Sequence, residues 1–184
     1  MELLGRDGAR GLSHPKVDDL AGVPPGSTSF YFRTRHALLQ GVATRLTELD
    51  VADLSQAAGL GDHAGTAGLA ELVMISATEP WLTRAKARYE LALHASRDPD
   101  LGATLQQATT RFRELARDVV AHWHPEDARP APALIDEQAA AVLTYINGVM
   151  MSFVTGGPVV SGAEQLERLI RAIITAVGED HTKS

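Results

Sequence analysis

The stretch AGVPPGSTSFYFRTR, residues 21–35, permits few foldings. Gly22, between Ala21 and Val23, suits the left-handed residue that closes one helix before a sharp turn. Pro25 fits the first position of the next helix, where its missing N–H costs nothing and its fixed φ pre-sets the start. That helix has room for only about two turns. Gly26, Ser27 and Ser29 are too small to anchor a core and suit a surface that another molecule approaches closely. Phe32 and the apolar edge of Tyr31 are expected to hold the helix to its scaffold, with Arg33 and Arg35 supplying positive charge just past its end. The layout is that of a helix-turn-helix whose second helix reads DNA.

Composition agrees with a helical chain. The 184 residues contain few aromatics and many Ala, Leu, Val and Arg, which favours helices packed on helices. Cysteine is absent, which excludes disulfides and thiol chemistry and fits a reducing cytoplasm. No apolar run approaches the ~20 residues needed to cross a bilayer, so a soluble, cytoplasmic protein without membrane contact is expected. The net charge of −6 argues against a nucleic-acid binder only until its distribution is considered. Between Arg10 and Arg45 stand Arg10, Lys16, Arg33, Arg35 and Arg45 against Asp18 and Asp19, so the local balance is positive.

In chain order, Leu3 and Leu4 with Gly8 as a stop predict a short first helix. Ser13 offers an N-cap oxygen, Pro15 is tolerated in a first turn, and Val17, Leu20 and Ala21 follow helical spacing, with Leu12 expected to be buried before the cap. The string Gly8-Ala9-Arg10-Gly11-Leu12-Ser13, then Ala21-Gly22-Val23, Tyr31-Phe32, Arg35 and Ala37-Leu38-Leu39, resembles the DNA-binding part of the tetracycline-repressor (TetR) family of transcriptional regulators over residues 5–50. Spaced matches over some thirty residues are far more specific than one short motif.

The resemblance implies that Pro25, Gly26 and Ser29 face base edges and that Ser27, Tyr31 and Arg35 reach phosphates. Hydroxyls and a helix N-terminus suit phosphate oxygens, and His14 and Lys16, in the first turn of the supporting helix, are further backbone candidates. The sequence departs from the family pattern at three places. The first helix is shorter, which implies a trimmed domain or a misassigned start; Thr28 replaces a buried Leu; and Pro24 replaces a capping Ser or Thr. The last two are expected to loosen the recognition helix. The base-facing positions also lack Arg, Asn and Gln, so sequence reading is expected to lean on shape, methyl contacts and half-site spacing.

His36 to Gln56 reads as one long helix with Leu38, Leu39, Val42, Leu46, Leu49 and Leu54 as its apolar stripe and Arg45, Glu48 and Asp50 off it. Gly59, Gly61 and Gly65 mark a linker that has no phosphate-loop spacing. Helices are expected at about residues 67–78, 81–96 and 98–122, followed by a Pro-rich surface loop from His124 to Pro132. The last two helices, from about Ala133 to Thr155 and through Leu166 to Val177, are apolar on more than one side. They suit half of a four-helix bundle completed by a second copy of the chain, which is also how the TetR family dimerises; the alternative is a larger monomeric core. Ile146, Phe153, Leu166, Ile170 and Ile173 are the candidate interface residues.

Family resemblance also implies a small-molecule pocket among the middle helices. Its candidate lining is Trp81, Arg84, Tyr89, Phe112, Trp123, Met150 and Met151, with Glu90, His94 and Asn147 as orienting polar groups. The seven His show no zinc-site spacing, and no nucleophile arrangement or cofactor motif is present, so no metal, cofactor or catalysis is expected. The sequence therefore predicts an all-α protein with a helix-turn-helix DNA-binding domain over residues 1–45 and a larger helical ligand-binding and dimerisation domain over 46–184. The function expected is that of a homodimeric repressor on a palindromic double-stranded operator, released by a small-molecule effector. A dimeric helical ligand-binding or adaptor protein of the same fold is the alternative.

Overall fold

Glycines and prolines punctuate a sequence of good helix formers, and the computed structural model, which describes residues 1–59 and 65–181, follows that punctuation. Among the described residues every regular element is helical. The order is α1 (Glu2–Gly11), α2 (His14–Ala21), α3 (Ser27–Tyr31), α4 (Arg35–Gly59), α5 (Thr66–Ile75), α6 (Trp81–Ala95), α7 (Pro99–Trp123), α8 (Pro132–Val154) and α9 (Ala163–His181). One 3-10 turn, Glu126–Ala128, sits in the exposed loop before α8.

Local details depart from expectation at a few points. Gly8 breaks α1 (φ 68°, ψ −177°) without ending it. Ser13 precedes α2 in an extended conformation, but its side chain makes no capping bond. Side chains that do cap are Asp98, whose Oδ1 accepts the Leu101 N–H at 3.1 Å at the start of α7, and Thr34, whose Oγ1 accepts the Ala37 N–H at 3.0 Å at the start of α4. The expected glycine linker falls largely on residues 60–64, outside the described residues, as does the side chain of Leu54.

The chain divides into two compact units, one built from Met1–Asp50 with Glu79–Ala108 and the other from Val51–Thr78 with Thr109–Ser184. The unit that holds α2 and α3 is thus larger than residues 1–45, because α6 and the start of α7 complete its core. Leu3, Leu4, Leu12, Leu38, Leu39, Leu46, Leu91 and Leu101 are all buried there. α1 approaches α6 so closely that a Cβ on Gly5 would lie 2.0 Å from the Thr83 carbonyl oxygen. Asp50, expected on the solvent side of α4, is instead 5% exposed and receives Arg88 at 2.7 Å and Arg84 at 3.3 Å from α6. A carboxylate is tolerated at such a buried position because two guanidinium groups supply charge and donors.

In the second unit α9 packs against both α5 and α8. Leu166, Ile170 and Ile174 form a stripe at four-residue spacing, each 0% exposed. Buried Gln138 on α8 donates to the Ile174 carbonyl at 2.8 Å and accepts from His124 Nε2 at 2.9 Å, so its amide is satisfied on both ends.

Gly5→Ala tests the α1–α6 seam. An alanine would normally favour the helix, yet its methyl here meets backbone that cannot move aside alone. We expect a loss of about 2–3 kcal/mol in denaturant unfolding, against less than about 0.5 for Arg6→Ala at the exposed neighbour.

Candidate nucleic-acid interface

The turn between α2 and α3 follows from its residue order. Gly22 closes α2 in the left-handed region (φ 65°, ψ 30°), as expected for a residue without Cβ. Pro24 to Ser27 then make a turn in which the Ser27 N–H donates to the Pro24 carbonyl at 3.1 Å. With Pro25 second and Gly26 third (φ 92°, ψ −9°), this has the signature of a type II turn. Pro25 therefore lies in the turn rather than at the first helical position, and α3 starts two residues later than the sequence suggested.

Asp18 fixes the start of α3. Its side chain is buried on α2, where one carboxylate oxygen accepts the Gly26 N–H at 2.7 Å. The other accepts the Thr28 N–H at 2.7 Å and the Thr28 hydroxyl at 2.5 Å. A buried carboxylate is costly when unpaired, and here three donors replace its water. These bonds, the Thr28 hydroxyl foremost, hold the Asp18 carboxyl below the ordinary carboxylate range despite its burial. Thr28 does not loosen the helix, because it exchanges the family's apolar contact for this bond. Pro24 also does no harm as a cap, since the capping oxygen comes from Asp18 on the preceding helix. A partner ten residues away leaves no periodic signal in the sequence.

Thr28 and Phe32, one turn apart, face inward. Phe32 packs against the leucine core, and its ring lies so near α4 that a Cβ on Gly41 would come within 2.4 Å of it. Tyr31 does not help to hold the helix: it is 77% exposed, and Phe30, which sequence reasoning passed over, is 74% exposed. The two rings meet edge to face at 5.2 Å. Ser27 donates its hydroxyl to the Pro24 carbonyl at 2.6 Å and Ser29 to Gly26 at 2.9 Å. Ser27 is thus turned into its own turn rather than presenting a donor outward, and the N–H groups of Gly26, just before α3, and of Thr28 within it are taken by Asp18.

The cationic candidates divide. Lys16, Arg33 and Arg35 are exposed, as is Arg10. Arg35 also donates to the Ala9 carbonyl near the end of α1. His14 points inward, its Nε2 donating to the Phe32 carbonyl at 2.5 Å, so it ties α2 to the end of α3 rather than offering itself to a backbone phosphate. With Asp18 buried, Asp19 is the exposed acid between Arg10 and Arg45, and the surface around α3 is more basic than the sequence count implied.

The other candidates are spread over both units. Trp81, Arg84, Tyr89 and His94 belong to the first; Phe112, Trp123, Asn147, Met150 and Met151 belong to the second. Trp81 and Arg84 line a cavity of about 440 Å³ with Arg6, Glu2, Glu79 and Thr83. Tyr89 is half-buried, and burial pushes its hydroxyl above its ordinary range. Trp123 stands edge-on to His124 at 4.9 Å. Asn147 and Met151 are exposed on α8, which is not where a pocket wall lies. Glu90 accepts the Ala9 N–H at 3.3 Å instead of orienting a ligand. His36, Asp98 and Asp100 have donor atoms within 4.8 Å of one another, but the Asp98 oxygens already serve Leu101 and His36.

Four of the five interface candidates need correction. Ile146 and Phe153 are 6% exposed, and Leu166 and Ile170 are 0% exposed within the single chain, so they have no surface left for a partner. Their helices are apolar on several sides because the unit's own core takes most of them. Ile173 stays partly exposed, and the outer faces carry Leu169 on α9 and Met151 on α8 instead.

Residues 60–176 match the family known as tetracyclin repressor-like, C-terminal domain, a span of more than half the chain. The chain belongs to the TetR-like family. Solved structures share the TetR-like fold along nearly the whole length. A transcriptional regulator from Rhodococcus sp. Rha1 superposes with a TM-score of 0.72 at 20% identity, covering 97% of this chain and 91% of its own. A protein described as a transcriptional regulator from Streptomyces coelicolor A3(2) gives 0.68 at 22% identity, with 95% and 92% covered. The multidrug binding protein EbrR, complexed with proflavin, gives 0.57 at 22% identity, with 93% and 92% covered. No curated protein matches the chain. No described helix is long and apolar enough to cross a membrane.

Asp18 gives this TetR-like helix pair a defined acid sensitivity. Because its folded-state pKa is lowered, its contribution is complete above the unfolded value of about 4 and is lost as pH falls through the lower folded value. Asp18→Asn should lower the melting temperature by several degrees at pH 7 and by little at pH 3, followed by circular dichroism.

Proposed function

We propose that the protein is a DNA-binding transcriptional regulator, a homodimeric repressor of a palindromic operator that a small-molecule effector releases. The observation that carries this reading is α3: a short helix pinned from behind by Asp18 and Phe32, with its outer face bare and exposed cations at Arg10, Lys16, Arg33 and Arg35. Such a helix fits the major groove, with the surrounding cations on phosphates. The reading surface lies within residues 1–45 and dimerisation belongs to residues 46–184, while the effector cavity is walled by Glu79, Trp81, Thr83 and Arg84 together with Glu2 and Arg6. Trp81 and Arg84 are the effector contacts best supported, since they border a cavity. The proflavin complex of EbrR supports a small molecule as the effector class. α4 runs unbroken from Arg35, beside the recognition helix, to Gly59, and would transmit a coupling of typically about 1–3 kcal/mol.

Dimerisation supplies what one small recognition helix lacks. Two copies held about 34–36 Å apart read successive major grooves, and tethering raises the effective concentration of the second. The outer face of α8 favours a partner helix there: Ala140, Thr144, Asn147, Gly148 and Met151 are all exposed and uncharged over about three turns. Leu169, Ala172 and Ala176 are likewise exposed and uncharged on α9.

Binding to the DNA adjoining the protein's own gene, measured over a range of salt, tests the regulator reading. Arg35→Ala should reduce the slope of log K against log salt by about 0.9, because one phosphate-bound cation is removed. Tyr31→Phe should weaken binding several-fold with less change in slope. A protein with no preference for any duplex at low salt would leave the adaptor alternative.

Gly148→Glu tests the dimer. A Cβ at Gly148 meets nothing within 4 Å, so the substitution should leave the single chain folded, and it should gain about 0.5–1 kcal/mol from leaving glycine. Light scattering should give twice the 19.6 kDa chain mass for the wild type and one chain mass for the variant. A monomeric wild type at micromolar concentration refutes both the dimer and the palindrome.

A further inference from the structure

The geometry points to Phe30 as the residue that selects the operator, by packing on thymine C5 methyl groups in the major groove. This rests on the regulator reading given above. Successive helical residues turn by about 100°, which puts Phe30 about 200° from Thr28 and about 160° from Phe32, the two side chains that face the scaffold. Of the α3 side chains Phe30 therefore points most directly away from the scaffold, and it is 74% exposed, with Tyr31 beside it at 77%. Just before the helix stands Gly26, whose carbonyl accepts the Phe30 N–H at 3.0 Å and which adds no side chain to compete for the same depth. Tyr31 steadies the Phe30 ring from the side, edge to face at 5.2 Å.

A helix entering the major groove presses its outermost residue closest to the base edges. The apolar feature offered there is the thymine methyl, and a phenylalanine ring, having no donor or acceptor, discriminates by that contact alone. The neighbouring hydroxyls favour the same reading. Ser27 and Ser29 have already given their protons to the Pro24 and Gly26 carbonyls. The serines of α3 thus offer no free donor to guanine O6 and N7, whereas their oxygens can accept from adenine N6 amino groups. The exposed cations Arg33 and Arg35 follow the aromatic pair closely in sequence, and Arg10 and Lys16 are exposed on α1 and α2, a set that suits phosphates.

A duplex selected by the wild-type protein from a random-sequence pool supplies the probe. Replacing its thymines one at a time by deoxyuridine removes only the methyl, and is expected to weaken wild-type binding about four-fold at one or more positions in each half-site. Phe30→Leu should keep part of that sensitivity and Phe30→Ala should lose it, both with unchanged helical circular dichroism because the side chain is exposed and supports nothing. Selective binding that ignores every thymine methyl, or a methyl sensitivity that survives in Phe30→Ala, overturns the role of Phe30 and leaves the regulator reading standing. A wild type that selects no duplex overturns both. If Phe30→Ala instead changes the particle mass in light scattering, the aromatic pair is a protein contact and the proposal fails.

Discussion

The recognition helix is five residues long, far below the length at which a helix holds in water by itself, so its position comes from outside, and Asp18 supplies most of it. One carboxylate takes the N–H groups of Gly26 and Thr28 and the Thr28 hydroxyl, which fixes the start of α3, its rotation and its distance from α2 together. The turn geometry depends on the same bonds. Gly26 must adopt a positive φ to bring its N–H onto the carboxylate, and Pro25 then falls in the turn rather than in the helix. A charge-assisted cap reaching over from the preceding helix thereby replaces the usual cap from the residue just before the helix.

A second anchor lies at the break in α1. Because Gly8 leaves the helical region, the Ala9 N–H goes to Glu90 on α6, and the Ala9 carbonyl accepts from Arg35 at the head of α4 as well as from the Leu12 N–H at 3.3 Å. Arg35 is thus already part of the scaffold before any phosphate is met. The same unit ties α4 to α6 through Asp50 with Arg84 and Arg88, and α4 to α7 through His36 with Asp98 and Gln40 with Thr104. Polar ties at both ends of the leucine core define which helices lie together, while the apolar contacts supply the bulk of the stabilisation.

Much of this was readable in the sequence where the signal is local. Gly22 at the end of α2, the long α4, the proline-opened α8 and the all-helical class follow from spacing and from single-residue backbone preferences. The family could be named from the strings around Gly8, Gly22, Tyr31 and Ala37. The misses are long-range pairings. Asp18 looked like one of two acids to be subtracted from a basic surface, since its donors sit eight and ten residues on. Asp50 looked solvent-facing because the arginines that meet it are on another helix. His14, polar and early in its helix, looked like a phosphate ligand because its acceptor, the Phe32 carbonyl, lies eighteen residues on, whereas Ser27 is taken by a local acceptor, the Pro24 carbonyl. The interface candidates failed for a different reason: apolar excess on α8 and α9 was counted correctly, but hydrophobicity does not say which neighbour covers it, and the chain's own core takes Ile146, Phe153, Leu166 and Ile170.

The division of labour on α3 bears on how such a protein changes over evolutionary time. Thr28 and Phe32 hold the helix, whereas the side chains of Ser29, Phe30 and Tyr31 are exposed and bond only within α3 and its turn. Substitutions at those three positions are therefore nearly neutral for stability, and a lineage can drift through many outward-facing triplets without passing through unfolded intermediates. After a gene duplication, two copies could part in target sequence by changing only these side chains, keeping the anchor of Asp18, Thr28 and Phe32 unaltered beneath them.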